Sequence, residues 1–324
     1  MKADYKKFIK SSLIVIVGFL LVDNIFGFIA DKLTMKLPDN GGYTVAKEKR
    51  LLYNLNDDVI IIGSSRASHH FVSSILQDSI NTYLNKKVSV YNGGLDGRYL
   101  DCSSLLIENL ITNHQNKLLI WEIDNYSLYD NGFATIQYFA PFYHKNKIVK
   151  QYIDNLGLVT RIKMKSSLYR YNFNASFFKV LFGLVTKDNC VAGYSPLYNV
   201  MKFDPNAEEK TNKETTNVRY REVNDYLYSN FVRVMNLCKK KKVNLIVISS
   251  PNYGKNKNTY GEKQDILSKL CKERNIPYIN MIDEEYFENH HELFQDGGHL
   301  NDNGAKAFTK MFFEKLKPYL DSMK

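Results

Sequence analysis

The chain moves between two hydrophobic rhythms. Short β-branched runs recur at 58–62 (DVIII), 87–91 (KVSVY), 117–123 (KLLIWEI), 243–249 (VNLIVIS) and 276–282 (IPYINMI). They are apolar at nearly every position rather than every second one, as strands buried on both faces are. Between most of them lie segments with apolar residues at helical spacing, such as VSSILQDSINTYL, YLDCSSLLIENLI and GEKQDILSKLCKERN. Strand alternating with helix predicts a parallel sheet covered by helices on both sides. The expected fold is α/β: a three-layer α/β/α sandwich with a five-stranded parallel sheet of flavodoxin-like order. The rhythm breaks once, between about 126 and 220, in a stretch too long for one crossover. It carries QYFAPFYHKNK, LYRYNFNASFFKVLFGLV and GYSPLYN and ends in the polar DPNAEEKTNKETTN. It reads as an aromatic-rich insertion after strand three, serving either as a small secondary core or as a lid or substrate wall.

A different pattern opens the chain. Lys2, Lys6, Lys7 and Lys10 precede SSLIVIVGFLLVDNIFGFIA at residues 11–30. Twenty helical residues are about 30 Å long, enough to cross a hydrocarbon core. Lysines ahead of the run place the N-terminus in the cytoplasm and everything downstream outside. The expected organisation is a cytoplasmic basic tail (1–10), a transmembrane anchor or signal (11–30), a linker (31–56) broken by Pro38 and Gly41-Gly42, and one domain over 57–324. Phe28 and Ala30 form a poor small-x-small cleavage site, which favours a retained anchor over a removed signal. Asp23 and Asn24 interrupt the apolar run and are costly at mid-bilayer; a span beginning near Tyr5 places them at the outer interface.

Charge and cysteine content narrow the function classes. The net charge of +10 is partly local, in the N-terminal lysines and in Lys239–Lys242, a run suited to a helix C-terminus. No aromatic-interleaved basic motif accompanies it, so nucleic acid is not an expected partner; attraction to anionic membrane or cell-wall surfaces fits better. Cys102, Cys190, Cys238 and Cys271 lack paired spacing and read as single buried thiols. The doublets His69-His70 and His290-His291 lack the i, i+4 spacing of a helical metal pair. No metal and no cofactor are expected.

Ligands of an open parallel sheet bind beyond the carboxyl ends of its strands. Strand one delivers Gly63-Ser64-Ser65 there, strand two NGGLDG (Asn92 to Gly97), strand three Glu122-Ile123-Asp124-Asn125 and strand four SSPNYG. After strand five, FQDGGHLNDNGAKAF places Asp296 and His299 three apart before the last helix. The glycine pair between them, Gly297-Gly298, reads as the source of a tight turn. A serine, an acid and a histidine therefore converge on one edge. Each has a plainer reading: Ser65 as a helix cap, Asp296 as a cap near the final helix, His299 as a surface histidine, Gly94 and Gly97 as turn residues. Arg66 reads as a solvated first-turn residue, a clamp for an anionic substrate, or a partner of Asp124.

On these residues the chain resembles the SGNH, or GDSL-like, hydrolases. Gly63-Ser64-Ser65 is similar to their nucleophile block, Asn92, Gly94 and Gly97 to their Asn-x-Gly-x-x-Gly block, and Asp296 with His299 to their closing Asp-x-x-His. The resemblance covers roughly 57–125 and 222–322. It implies that His299 deprotonates Ser65, that Asp296 orients His299, and that Ser65 and Gly94 backbone N–H groups hold the oxyanion; Asn92, Arg66 and Asp124 are the candidate substrate-binding residues. The third block departs: where the family has Gly-x-Asn-Asp, an ungapped match puts Asp124 at the donor position, and a one-residue shift brings in Asn125 instead. That departure, GSSR in place of Gly-Asp-Ser and the N-terminal helix look like remoter membrane-anchored members that transfer acyl groups outside the cell. An α/β-hydrolase elbow fits less well, since position 67 is Ala and the serine follows the first strand. The expected activity is a membrane-anchored, extracytoplasmic serine esterase or O-acyltransferase acting on a small ester or an acylated envelope glycan, with a membrane-protein partner compatible. The alternative is a catalytically silent SGNH-like domain that binds glycan or a membrane partner.

Overall fold

A computed structural model describes residues 2–39, 44–113, 118–123, 127–129, 135–186, 190–202, 223–253 and 257–321. Two compact units emerge, Met1–Lys49 with Ile136–Lys187, and Arg50–Thr135 with Asp188–Lys324. The chain begins with helices α1 (Lys2–Met35) and α2 (Thr44–Tyr53), then β1 (Val59–Ile62), α3 (Ser65–His70), α4 (Ser73–Leu84), β2 (Val90–Asn92), α5 (Leu100–Asn113) and β3 (Leu118–Glu122). Four short helices follow: α6 (Lys147–Asp154), α7 (Leu158–Lys163), α8 (Ser167–Asn172) and α9 (Ser176–Val185). The last third holds α10 (Asp225–Lys241), β4 (Asn244–Ser249), α11 (Lys257–Arg274), β5 (Tyr278–Asn280), α12 (Glu285–Glu288), β6 (Phe294–Asp296), β7 (His299–Leu300) and α13 (Asp302–Leu320).

The second unit is the expected α/β sandwich. Its five strands run parallel in the order β2-β1-β3-β4-β5. Side chains alternate across the sheet. Val59, Ile61, Leu118, Ile120, Ile246 and Ile248 face one way, into a core completed by Leu76 and Ile80 of α4 and Phe308 and Phe312 of α13. Trp121 faces the other way. Its indole N–H donates to Ser103 Oγ of α5 at 3.0 Å, and its ring meets Phe231 of α10 edge-on at 4.9 Å. Both faces are apolar, which is why these strands read as unbroken apolar runs. The register, Val59 opposite both Val90 and Leu118, brings the ends of β1, β2 and β3 to one edge. The antiparallel pair β6-β7 is not foreshadowed by the sequence; two strands of three and two residues are too short to leave a periodic signal.

The segment boundaries differ from expectation. Helix α1 continues past residue 30 to Met35, and α2 forms inside the expected linker. The insertion divides. Residues 136–187 group with α1, whereas 190–202 belong to the sheet unit, where Tyr194 donates to Asp302 at 2.9 Å and Met201 N–H to the Phe294 carbonyl at 2.7 Å. Residues 203–222 lie outside the described residues. Within residues 136–187, Phe139, Phe142, Tyr152 and Tyr171 are buried, whereas Phe178 and Phe182 are exposed.

That first unit is organised around one carboxylate. Asp23, 5% exposed on α1, accepts from Ser166 Oγ at 2.8 Å, from Ser167 N–H at 2.9 Å and from Leu168 N–H at 2.7 Å. Ser166 caps α8 itself by accepting from Tyr169 N–H. The first three amides of α8 are thus satisfied, two of them by a residue on another helix. One turn later Gly27 lets the helices approach; a Cβ there would collide with Ser167 Oγ. Farther along, Tyr171 of α8 donates to Asp31 at 2.7 Å. Replacing Asp23 by Leu strands three donors, at about 1–3 kcal/mol each. In the purified full chain, Asp23→Leu is expected to speed tryptic cleavage at Lys163 and Lys165 at least tenfold, and Asp23→Asn less; unchanged rates would show that the cap is dispensable.

Candidate active site

The apolar run of β1 ends at Gly63, which packs against strand β3. A Cβ at Gly63 would lie 2.8 Å from the Glu122 carbonyl oxygen and from Ala67 Cβ. Helix α3 starts at once. Its N-cap is Ser64, whose Oγ accepts from Arg66 N–H at 3.4 Å. Ser65 is therefore not the cap but the first helical residue, and its hydroxyl is directed elsewhere: Oγ lies 2.8 Å from His299 Nε2. On the far side of the imidazole, Nδ1 lies 2.9 and 3.0 Å from the two carboxylate oxygens of Asp296. The carboxylate can only accept from Nδ1–H, so Nε2 is left to accept from the serine. Asp296 does not cap the final helix either, because Asn301 does, accepting from Gly304 N–H at 3.1 Å.

Asp296 and His299 face one another across the β6-β7 turn. The turn is held by Asp296 Oδ1, which accepts from Gly298 N–H at 2.8 Å and His299 N–H at 2.9 Å. Burial favours the neutral acid, but the bonds from the His299 ring and from these two amides outweigh it and hold the Asp296 carboxyl below its ordinary value. Gly297 and Gly298 do not adopt left-handed backbone angles, and a Cβ on Gly297 would meet nothing within 4 Å. The two glycines are not what makes this turn tight.

The other expected site residues are placed differently. Arg66 is no substrate clamp. It is 5% exposed; its Nε donates to Ser250 Oγ at 3.2 Å and lies 3.4 Å from Glu122 Oε1, and its Nη2 donates to the Ser250 carbonyl. Asn92 is no substrate contact either. It is fully buried and ties the end of α3, its amide donating to the carbonyls of Ala67 at 2.7 Å and Phe71 at 2.9 Å. Its Oδ1 accepts from Gly94 N–H at 2.9 Å, so that amide is not free to hold an oxyanion. Gly94 is needed for space: a Cβ would collide with the Ser68 backbone nitrogen. Gly97, at φ +64°, keeps its expected turn role. Asp124 and Asn125 lie outside the described residues. Among the described residues, no three His, Cys, Asp or Glu side chains cluster as a metal site.

Sequence reasoning missed the buried polar cluster beneath the serine. His70 Nε2 accepts from Leu300 N–H at 3.0 Å, which places the ring proton on Nδ1, facing Ser250 Oγ at 2.9 Å. Ser250 Oγ in turn donates to Glu122 Oε1 at 2.9 Å. Arg66, His70, Glu122 and Ser250 thus join α3 to the ends of β3 and β4 and to β7. The available signal is a histidine doublet directly behind the serine, which metal spacing alone does not interpret. His69, beside it, directs Nδ1 to the Ser195 carbonyl at 2.6 Å and lies edge-on to His299 with ring centroids 5.7 Å apart.

Burial, reinforced by the Arg66, His299 and His69 charges, pushes the His70 imidazole well below its ordinary value. An unfolded histidine takes a proton near pH 6.5. Below that pH the unfolded chain binds a proton that the folded chain refuses, so this contribution is complete above about pH 6.5 and is lost on acidification. His70→Gln is expected to make the fall in stability between pH 7 and 5 shallower by about one proton, read from denaturant melts at each pH; an unaltered slope would remove His70 from this role. Gly297→Ala is expected to change the unfolding free energy by less than about 0.5 kcal/mol, read from denaturant melts, and a larger loss would restore the glycine-dependent turn.

No protein-family model matches the chain, and no curated protein matches its sequence. Among solved structures it is similar to a lipase/acylhydrolase from Enterococcus faecalis, at 12% identity and a TM-score of 0.38, over 81% of this chain and 96% of that one. It is also similar to a Streptococcus pneumonia protein named for platelet activating factor, at 10% identity and a TM-score of 0.37, over 96% of this chain and 98% of that one.

Proposed function

We propose that the chain is a serine esterase or O-acyltransferase working through an acyl-serine intermediate. The observation that carries this reading is the unbroken series Ser65 Oγ, His299, Asp296 at the carboxyl edge of a parallel sheet. A serine hydroxyl is a weak nucleophile until a base takes its proton. In the proposed cycle Ser65 Oγ attacks the ester carbonyl carbon while its proton passes to His299 Nε2. Asp296 holds the ring tautomer and stabilises the imidazolium. The tetrahedral intermediate collapses as His299 returns the proton to the leaving alkoxide, which departs and leaves acyl-Ser65. Water, or the hydroxyl of an acceptor, then attacks the acyl carbon with His299 again as base, and the second intermediate collapses as His299 returns that proton to Ser65 Oγ, breaking the acyl–serine bond and releasing the acid or the new ester. Ser65 N–H is the oxyanion donor available at the start of α3.

Helix α1 is proposed as a retained anchor, with the N-terminus cytoplasmic and the sheet unit outside. It is long and apolar enough to cross a bilayer, and its bonds to α8 through Asp23 would be lost if it were cut away after Ala30. The substrate class is an ester-linked acyl group, and an acylated extracellular glycan is the carrier that the sequence resemblance implies. A silent, binding-only domain is the second reading, favoured by the engagement of Gly94 N–H with Asn92.

A fluorophosphonate probe separates the two. The full chain is expected to label at Ser65 alone, with labelling abolished in Ser65→Ala and His299→Ala. Turnover of a small acyl ester should fall about 10⁴-fold or more in each and in Asp296→Asn, and the double variants should be no worse than the worst single one. A folded chain that neither labels nor turns over the ester would establish the binding-only reading.

A further inference from the structure

The unit containing α1 and the insertion exposes an apolar surface that water does not suit. Helix α9, SFFKVLFGLV, has one charge in ten residues, and only Ser176, Val180 and Gly183 on it are buried. Phe178, Phe182 and Val185 face outward, Val185 being 81% exposed. Helix α7 has no buried residue; Leu158, Val159 and Ile162 are each more than half exposed, beside Arg161 and Lys163. A helix apolar nearly all round belongs in a core or in lipid, and among the described residues no core covers these faces.

Three observations identify the covering phase. The apolar surface is continuous with α1: Phe177 of α9 packs on Phe26 of α1 with centroids 5.0 Å apart, and α1 exposes Leu13 to Val17, Phe19 to Val22, Ile25, Phe28 and Ile29. Depth agrees. Lys32 is the first cation after the apolar run, and Asp23 lies about 13 Å of helix before it. Ser166, Ser167 and Leu168, bonded to Asp23, therefore sit at the level of the apolar part of α1. Charge agrees as well: residues 136–186 hold eight Lys and Arg against the single acidic Asp154, which suits anionic headgroups.

We propose that the insertion is an embedded part of the membrane anchor, with α7 and α9 lying at the headgroup–acyl boundary of an anionic bilayer and their apolar faces among the lipid chains. A groove of about 360 Å³, lined by residues that include Phe26, Tyr171, Phe177 and Phe178, opens in the same place and suits one acyl chain. The proposal rests on the reading of α1 as a retained anchor.

The test uses the full chain in phosphatidylglycerol vesicles with brominated acyl chains. Wild type supplies the baseline, because its single tryptophan, Trp121, is buried in the sheet unit. Phe182→Trp and Val159→Trp each add one reporter. Bromolipid is expected to quench the added emission at least twofold and to leave wild type unaffected, while aqueous acrylamide quenches it weakly. Strong acrylamide quenching without bromolipid quenching overturns the proposal, as does shielding from both with cross-linked dimers, which would assign the face to a second copy. Failure of wild type to float with vesicles would overturn the anchor itself, whereas flotation without quenching overturns only the embedding. Should the variants misfold, a photoactivatable lipid applied to wild type and mapped by mass spectrometry is expected to mark residues 158–185; marking of α1 alone overturns the proposal.

Discussion

The placement of Ser65 depends on the hydroxyl of Ser250. This one atom accepts from Arg66 and from His70 and donates to Glu122, so three buried polar side chains, two from α3 and one from β3, meet there. An unsatisfied member of such a cluster is costly, and a complete cluster specifies one arrangement. Arg66 follows Ser65 directly, and the backbone N–H that His70 receives belongs to Leu300, the residue after His299. Ser65 and His299 are thus each one residue from a buried anchor, and the 2.8 Å between their side chains is the surface expression of that inner geometry.

Much of this is legible in the sequence, because its signals are local. Five apolar runs with helical spacers specify a doubly covered parallel sheet, and the carboxyl edge rule directs attention to Ser65, Asp296 and His299. The illegible part is what local pattern cannot encode. Arg66 beside the serine looks like a substrate contact until its distant partners, one of them 184 residues away, are known. Asn92 and Gly94 sit in a suggestive block, yet one clamps the end of α3 and the other makes room for it. Ser64 and Asn301 take the capping roles that were open to Ser65 and Asp296, a choice decided by hydrogen-bond direction rather than by residue type.

The same limit applies to the insertion. Aromatic density signals a secondary core, but nothing in the sequence links residues 136–187 to the first helix. That link is made by polar groups, Asp23 with the start of α8 and Asp31 with Tyr171, together with the packing of Phe26 on Phe177. In a chain with an apolar N-terminal helix, an acidic residue inside the apolar run is more informative as a partner to be found than as a penalty to be moved toward the interface.

The Asp23 bond also imposes a timetable. The carboxylate is synthesised 143 residues before Ser166, which at ribosomal speeds of about 5–20 residues per second is a delay of roughly 7–30 s. Over that interval α1 has already emerged while the amides that satisfy Asp23 do not yet exist. The helix must therefore tolerate an acid without its final partners until α8 has been made. Completion of this helix pair is a two-stage event whose second stage is the folding of a segment encoded far downstream.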